Sequence, residues 1–281
     1  MNEKEFFANY PIRKSDSNKF DNGHLLLVSG SKGMAGSAIL NIVGANSVGT
    51  GYIHALVEED IYPIIASNQI TTVYHVDDHK DPDFIDHLNL YSKVDAIAIG
   101  SGLNNNPNAR DYFIHILKYF HGPIIVDAYA LDLLSEDESL YSLNDNLILT
   151  PHIGEFARMI NVRKEDILKD KKNIARYFAL TKNVTLVLKG PHTLVVSGGA
   201  MMYENDTGNE ALARAGSGDV LTGMIAGMCA LYDDPYQATI DAVWLHGHLA
   251  DMHAQKHSKE IFDLTTYPRY ADEFFKERKL T

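Results

Sequence analysis

Short uninterrupted apolar runs recur along this chain, each closed by glycine or a polar residue and followed by a longer stretch of small and apolar positions. Residues 24–28, 52–57, 94–99, 123–126, 147–149 and 184–188 have the length and uniform apolar character of buried strands. Residues 34–48, 108–120, 220–231 and 238–253 read as helices, with a shorter helix expected near 270–279. Residues 193–196 and 201–203 flank Ser197-Gly198-Gly199 and read as a hairpin. Buried strands alternating with helices predict an α/β fold in three layers: a mostly parallel central sheet, helices on both faces and one antiparallel hairpin. No linker, repeat or low-complexity tract divides the chain, so a single domain over 1–281 is expected, with the polar residues 1–22 as a lead-in.

The same pattern places the unusual residues. Ser29-Gly30, Gly100-Ser101-Gly102, Asp127, His152 and Lys189 each follow a predicted strand. In an open α/β sheet the carboxyl ends of the strands form the ligand-binding edge, so these residues should share one rim. Charge narrows the ligand: 25 basic against 37 acidic residues leave −12. That balance disfavours a nucleic-acid partner but not a small nucleotide, whose phosphates a nest of backbone N–H groups can hold. Cys229 is the only cysteine, which excludes an intrachain disulfide and a thiolate metal site. The first residues lack the apolar core of a secretion signal, and no run of about 18 apolar residues would span a membrane. The cytoplasm is therefore the expected location.

The strongest local signal is Asn205-Asp206-Thr207-Gly208-Asn209 followed by Ala215-Gly216-Ser217-Gly218-Asp219-Val220-Leu221. Gly216 and Gly218 permit a sharp turn, and the apolar spacing after Asp219 opens a helix whose first N–H groups form an anion site. Asp219 has two readings. It favours the helix N-terminus, a common structural role, or it is a general base kept ionised by the helix N-terminus beside a held phosphoryl group. The segment is not a Walker loop, because no Gly-Lys-Ser/Thr follows at the needed spacing. Gly30-Ser31-Lys32-Gly33 is only loosely like a dinucleotide fingerprint, with no acidic residue at the end of the second strand until Glu58.

These stretches, in this order, resemble the ribokinase-like family of ADP/ATP-dependent NAD(P)H-hydrate dehydratases, which repair hydrated nicotinamide nucleotides. The resemblance runs from about residue 23 to 251. It rests on Gly23–Ser31 with Gly36, Gly49-Thr50-Gly51, Gly100-Ser101-Gly102-Leu103, Leu149–Glu155, Leu188-Lys189-Gly190 with Thr193, Gly208-Asn209 through Leu221, and His246-Gly247 with Asp251. It implies a ribokinase-like three-layer fold, ADP or ATP as co-substrate, Mg2+, and NADH or NADPH hydrate as substrate. It further implies Asp219 as the catalytic base, and substrate contacts from Ser37, Ala38, Gly102, Asp127, His152 and Asp219. Nucleotide contacts are implied for Lys189, Gly190, Thr193, Asn209, Gly216, Ser217 and Gly218, and a water-mediated Mg2+ contact for Glu155. A separate epimerase acting on the same metabolite is implied, because about 22 residues before the first strand cannot hold that domain; a homo-oligomer is also expected.

Three positions depart from the family pattern. Tyr129 stands where a second Asp is usual, Ala215 where Gly is usual, and Asn68-Gln69 where a Pro-Glu pair is often seen. Taken as a bare pattern, His152-x-x-Glu155 is more often structural, and the resemblance turns it toward the ligand. Lys189 is a solvent-facing lysine or a phosphate partner, and Asn209 contacts ligand or fixes its turn. Two other functions use the same features: a ribokinase-like kinase for a small alcohol, which stops after phosphorylation, and a noncatalytic nucleotide-binding protein.

Overall fold

The computed structural model describes residues 1–81 and 83–277. Seven parallel strands form the sheet: β1 (His24–Val28), β2 (Tyr52–Glu58), β3 (Val73–Asp77), β4 (Ala96–Ile99), β5 (Ile124–Val126), β6 (Leu147–Leu149) and β7 (Thr185–Leu188). The hairpin strands β8 (Leu194–Val196) and β9 (Met202–Glu204) extend it antiparallel. The order is β3-β2-β1-β4-β5-β6-β7-β8-β9. Chain direction across the sheet therefore reverses between β1 and β4, which opens a crevice at their carboxyl ends.

Alternate strand residues face two separate cores, as the period of a strand requires. Leu25, Leu27, Ala96 and Ala98 face one core, covered by α1 (Glu3–Asn9), α2 (Ala35–Ser47), α3 (Tyr62–Asn68), α10 (Ser217–Cys229), α11 (Pro235–Lys256) and α12 (Tyr267–Glu277). Leu26, Val28, Ile97 and Ile99 face the other. There the cover is α4 (Phe84–His87), α5 (Ala109–Tyr119), α6 (Tyr129–Glu136), α7 (Ile153–Met159), α8 (Lys164–Lys169) and α9 (Lys171–Lys182).

The first face is built for close approach. A Cβ added to Gly223 would lie 1.9 Å from Asn41 O, and one added to Gly44 would lie 2.1 Å from Val220 O. Helices α2 and α10 therefore touch backbone to backbone, which brings the N-terminal turn of α10 to the crevice beside β1 and β4.

The lead-in over 1–22 carries a short helix that packs on the first core. Asn2 and Glu5 make a reciprocal capping box that starts α1. Phe6 is fully buried, with its ring 5.4 Å from Trp244 and 5.3 Å from Phe274. The last helix begins at Tyr267, three residues before its expected start, and positions 278–279 of that expectation lie outside the described residues. Strand β3 was not anticipated: it is an edge strand whose residues up to Val76 are only half-buried, so it lacks the apolar run that marks the others. Among the described residues, no helix is long and apolar enough to cross a membrane.

Candidate active site

Asp219 sits where the sheet reverses. Helix α10 starts at Ser217 rather than near Val220, because Gly216 takes φ +90° and turns the chain into the helix. Asp219 is thus the third residue inside the helix, and its carboxylate makes no capping bond. Among the described residues, no acceptor binds the N–H groups of Gly218 and Asp219, whereas Val220 N–H closes the first turn onto Gly216 O. Two backbone donors and the positive end of the helix dipole therefore face the crevice.

The helix N-terminus does not set the Asp219 carboxyl alone. Burial raises the Asp219 carboxyl from 3.8 to about 6, with the negative charge of Asp127 adding to the effect. The Ser37 hydroxyl and Lys189 pull the other way without prevailing. A carboxylate with that pKa is still mostly ionised at neutral pH, yet it is far more basic than a surface aspartate.

Around it lies a paired polar network. Lys189 Nζ is 2.9 Å from Asp127 Oδ1, and the side chains are 17% and 3% exposed. Asp127 also accepts from Thr150 Oγ1 at 2.7 Å and from Ser101 Oγ at 2.9 Å. Burial works against charge on both partners, but their mutual attraction holds the Asp127 carboxyl below its usual range and the Lys189 ammonium above its own. The Lys189 ammonium lies against Gly218, where an added Cβ would be 3.2 Å from Nζ. A side chain there would push the cation off the helix N-terminus.

Asn41 ties the network to Asp219. Its amide donates to Asp219 O at 2.8 Å and lies 3.4 Å from Ser101 Oγ. Sequence reading missed this residue; its only signal was an amide among the small and apolar positions of α2, which also holds Asn46.

A family model described as NAD(P)H-hydrate dehydratase matches residues 25–267. The chain belongs to that family. It is 35% identical over 257 residues to the ADP-dependent (S)-NAD(P)H-hydrate dehydratase of Bacillus subtilis, covering 91% of this chain and 90% of that protein. It is 34% identical to the bifunctional NAD(P)H-hydrate repair enzyme of Moorella thermoacetica, of which it spans 48%. In structure it is similar to the ADP/ATP-dependent NAD(P)H-hydrate dehydratase of Bacillus subtilis co-crystallized with ATP/Mg2+. The TM-score is 0.83 at 30% identity, over 98% of this chain and 97% of the other. The ribokinase-like three-layer arrangement expected for the dehydratase family is the one found.

Of the residues the dehydratase resemblance singled out, the crevice gathers Ser37, Gly102, Asp127, Lys189, Gly218 and Asp219. Gly102 has φ +69° and packs against Ser37, whose Cβ would be 2.8 Å from an added Cβ. Ala38 is buried under Gly30. Ser217 Oγ is 3.5 Å from the buried imidazole of His246, which burial lowers to about 4. Gly190, at φ +146°, has open space around it and is bracketed by Thr193, whose hydroxyl donates to Gly190 O at 2.9 Å.

Two of the singled-out groups are engaged locally. His152 and Glu155 form a capping box for α7: His152 Nδ1 accepts from Gly154 N at 2.9 Å and Glu155 Oε2 accepts from His152 N at 2.7 Å. The His152 ring nevertheless stays half exposed at the rim. Asn209 donates to Asp251 Oδ1 at 2.8 Å and to Ala250 O at 3.0 Å, and accepts from Ala211 N at 3.0 Å. Its amide fixes the turn before α10. Tyr129, in place of the usual Asp, is the first residue of α6 and packs part-buried on the second core, next to Ala128 at φ +45°.

Proposed function

We propose that Asp219 is the base of an ADP- or ATP-dependent dehydration that returns NADH or NADPH hydrate to NADH or NADPH. The observation that carries this reading is the position of Asp219. A carboxyl raised to about 6 stands in the same helical turn as two unbonded N–H groups and beside the ammonium of Lys189. A base and a phosphoryl cradle side by side are what transfer to an alcohol requires, since the protein supplies position and charge stabilisation.

In this reaction Asp219 takes the proton of the ring hydroxyl, and that oxygen attacks the terminal phosphorus of the nucleotide. The bond to the remaining nucleotide breaks as the new O–P bond forms. Phosphate then leaves with the electrons of the C–O bond, the ring nitrogen lone pair assists, and the adjacent ring carbon gives up a proton. Phosphorylation converts hydroxide, a poor leaving group, into a good one.

Ser37, Ala38, Gly102, Asp127 and His152 line the substrate side. Lys189, Gly190, Thr193, Gly216, Ser217 and Gly218 line the nucleotide side, with Asn209 shaping the turn beneath them. Among the described residues, no three His, Cys, Asp or Glu side chains converge on one ion position. That donor set fits Mg2+ carried on nucleotide phosphates rather than caged by protein. When bound, the ion neutralises phosphoryl oxygens, and Glu155 is the carboxylate that would meet its water shell.

A separate epimerase supplies the reactive epimer, the enzyme works in the cytoplasm as a single-domain chain, and it assembles as a homo-oligomer.

The test is incubation with NADH hydrate, Mg2+ and ADP or ATP, following dihydronicotinamide absorbance and released phosphate together. Recovery of both supports the assignment. A stable phosphorylated alcohol without recovered absorbance would turn it into a kinase.

A further inference from the structure

His246, Gly247 and Asp251 of α11 have no part in the reaction at Asp219, yet each touches the segment that joins β9 to α10. Trp244, Gly247 and Asp251 are three and four residues apart and so form one stripe of the helix. The Trp244 carbonyl accepts from Thr207 Oγ1 at 2.8 Å. A Cβ added to Gly247 would lie 2.6 Å from Thr207 C, so helix and segment meet backbone to backbone. Asp251 uses both carboxylate oxygens: Oδ2 accepts from Gly208 N at 2.8 Å and Oδ1 from Asn209 Nδ2 at 2.8 Å. Gly208 is at φ +100°, a conformation that glycine adopts freely, and a charged acceptor pins its N–H there.

The far end of the segment rests on the same turn of α11. The His246 ring is stacked on Tyr267 with planes 6° apart, and its Nε2 is 3.5 Å from Ser217 Oγ. Between the two ends, Arg214 donates to Ala211 O at 3.0 Å, to Glu260 O at 2.9 Å and to Phe262 O. Helix α11 and the chain after it therefore hold residues 207–217 along their length. Asp219 is anchored separately, by Asn41 on its carbonyl and by the close contact of α10 with α2.

We propose that Asp251 is a positioning residue for the nucleotide: by fixing Gly208 and Asn209 it preorganises the turn that carries the phosphate-facing donors. The inference deepens, and rests on, the reading of that turn as the ADP or ATP side of the dehydratase site. A bonded turn presents its donors without further ordering, whereas a loose one must be ordered by the ligand. Loss of Asp251 therefore weakens nucleotide binding and spares the chemical step, because Asp219 keeps its own anchors.

The test is titration calorimetry of the full chain with ADP and Mg2+, well below the melting temperature. Stoichiometry then reports the folded fraction, and Kd reports the site. Asp251→Ala is expected to raise Kd about tenfold with stoichiometry unchanged, and to raise the KM for ADP with it while kcat stays within about threefold. Asp251→Asn keeps an acceptor for Gly208 N–H but sets two amides face to face at Asn209. Adding Asn209→Asp reverses that pair and is expected to recover part of the lost affinity. An unchanged Kd for Asp251→Ala overturns the proposal, as does a loss confined to kcat. Lowered stoichiometry at constant Kd marks a purely structural role and overturns it too. So does a double variant that binds no better than Asp251→Asn alone. Should Asp251→Ala fail to fold, Asp251→Asn with and without Asn209→Asp decides. Wild type that binds ADP but turns over neither NADH hydrate nor NADPH hydrate would sink the dehydratase reading and leave the Asp251 result standing.

Discussion

At the carboxyl ends of β4–β7 the protein buries an ion pair beside its catalytic candidate; across the middle of β1–β3 it buries neutral rings. The first region holds Asp127 and Lys189 as an ion pair with Asp219 beside it. The second holds His24, His54 and His75 in a row, with His24 Nε2 2.7 Å from His54 Nε2 and His54 Nδ1 2.8 Å from His75 Nε2. Burial lowers all three imidazoles, His54 to about 4, so each ring is neutral and shares its protons with its neighbours. Both regions satisfy most of their polar atoms. They differ in that the charged region keeps one group, Asp219, raised in pKa and facing an opening. A folded pKa of about 6 against 3.8 means that ionised Asp219 destabilises the fold as pH rises through that window. The catalytic end carries instability that the imidazole row does not.

The widest gap between the regions should open on Asp219→Asn. Turnover is expected to fall by about 10²–10⁴-fold with nucleotide binding retained, while the melting temperature at neutral pH rises. Steady-state kinetics and a thermal scan check both halves, and a less stable Asp219→Asn would break the contrast. In the wild type, kcat/KM should rise with pH through about 6 and then level off, because Asp219 acts in its deprotonated form.

Lys189→Met leaves Asp127 buried without its cation and should cost about 3–5 kcal/mol. Removing both charges with Asp127→Asn added should restore part of that stability, read by denaturant unfolding. Gly223→Ala pushes α10 off α2 and is expected to cost about 1–3 kcal/mol, with a lowered kcat because Asp219 moves with its helix. At neutral pH the smallest effect belongs to the imidazole row, which acts only in acid. Rings whose folded pKa lies below 6.5 bind protons more readily when unfolded, so their contribution is whole above pH 6.5 and is lost as pH falls toward 4. The slope is about 1.4 kcal/mol per pH unit for one imidazole; His54→Phe should flatten it in an acid unfolding series.

Much of this was legible before any coordinates. The mostly apolar runs located six of the seven parallel strands, because strands covered on both faces are near-continuously apolar, with His24 and His54 the exceptions in the runs of β1 and β2. Edge strand β3 broke that rule and was invisible. Phe6 and Phe7 stood in a polar stretch, and only the ring cluster of Trp244 and Phe274, more than two hundred residues away, shows them to be core. The glycine turn before Asp219 was readable from Gly216 and Gly218. Asn41 was not, since an amide in a helix says nothing about which carbonyl it will reach. His152 and Glu155 met the bland expectation for their spacing by capping a helix.

The amino-acid order alone determined where strands end, that polar residues gather past those ends, and that Asp219 lies in the first turn of a helix opened by glycine. These are local consequences of backbone freedom and of apolar periodicity. Only tertiary structure decided that Asp219 is raised to about 6 and that Lys189 pairs with Asp127. Burial and Coulomb interactions depend on distances between residues far apart in the chain, and those distances exist only once the sheet has set strands β1 to β7 side by side.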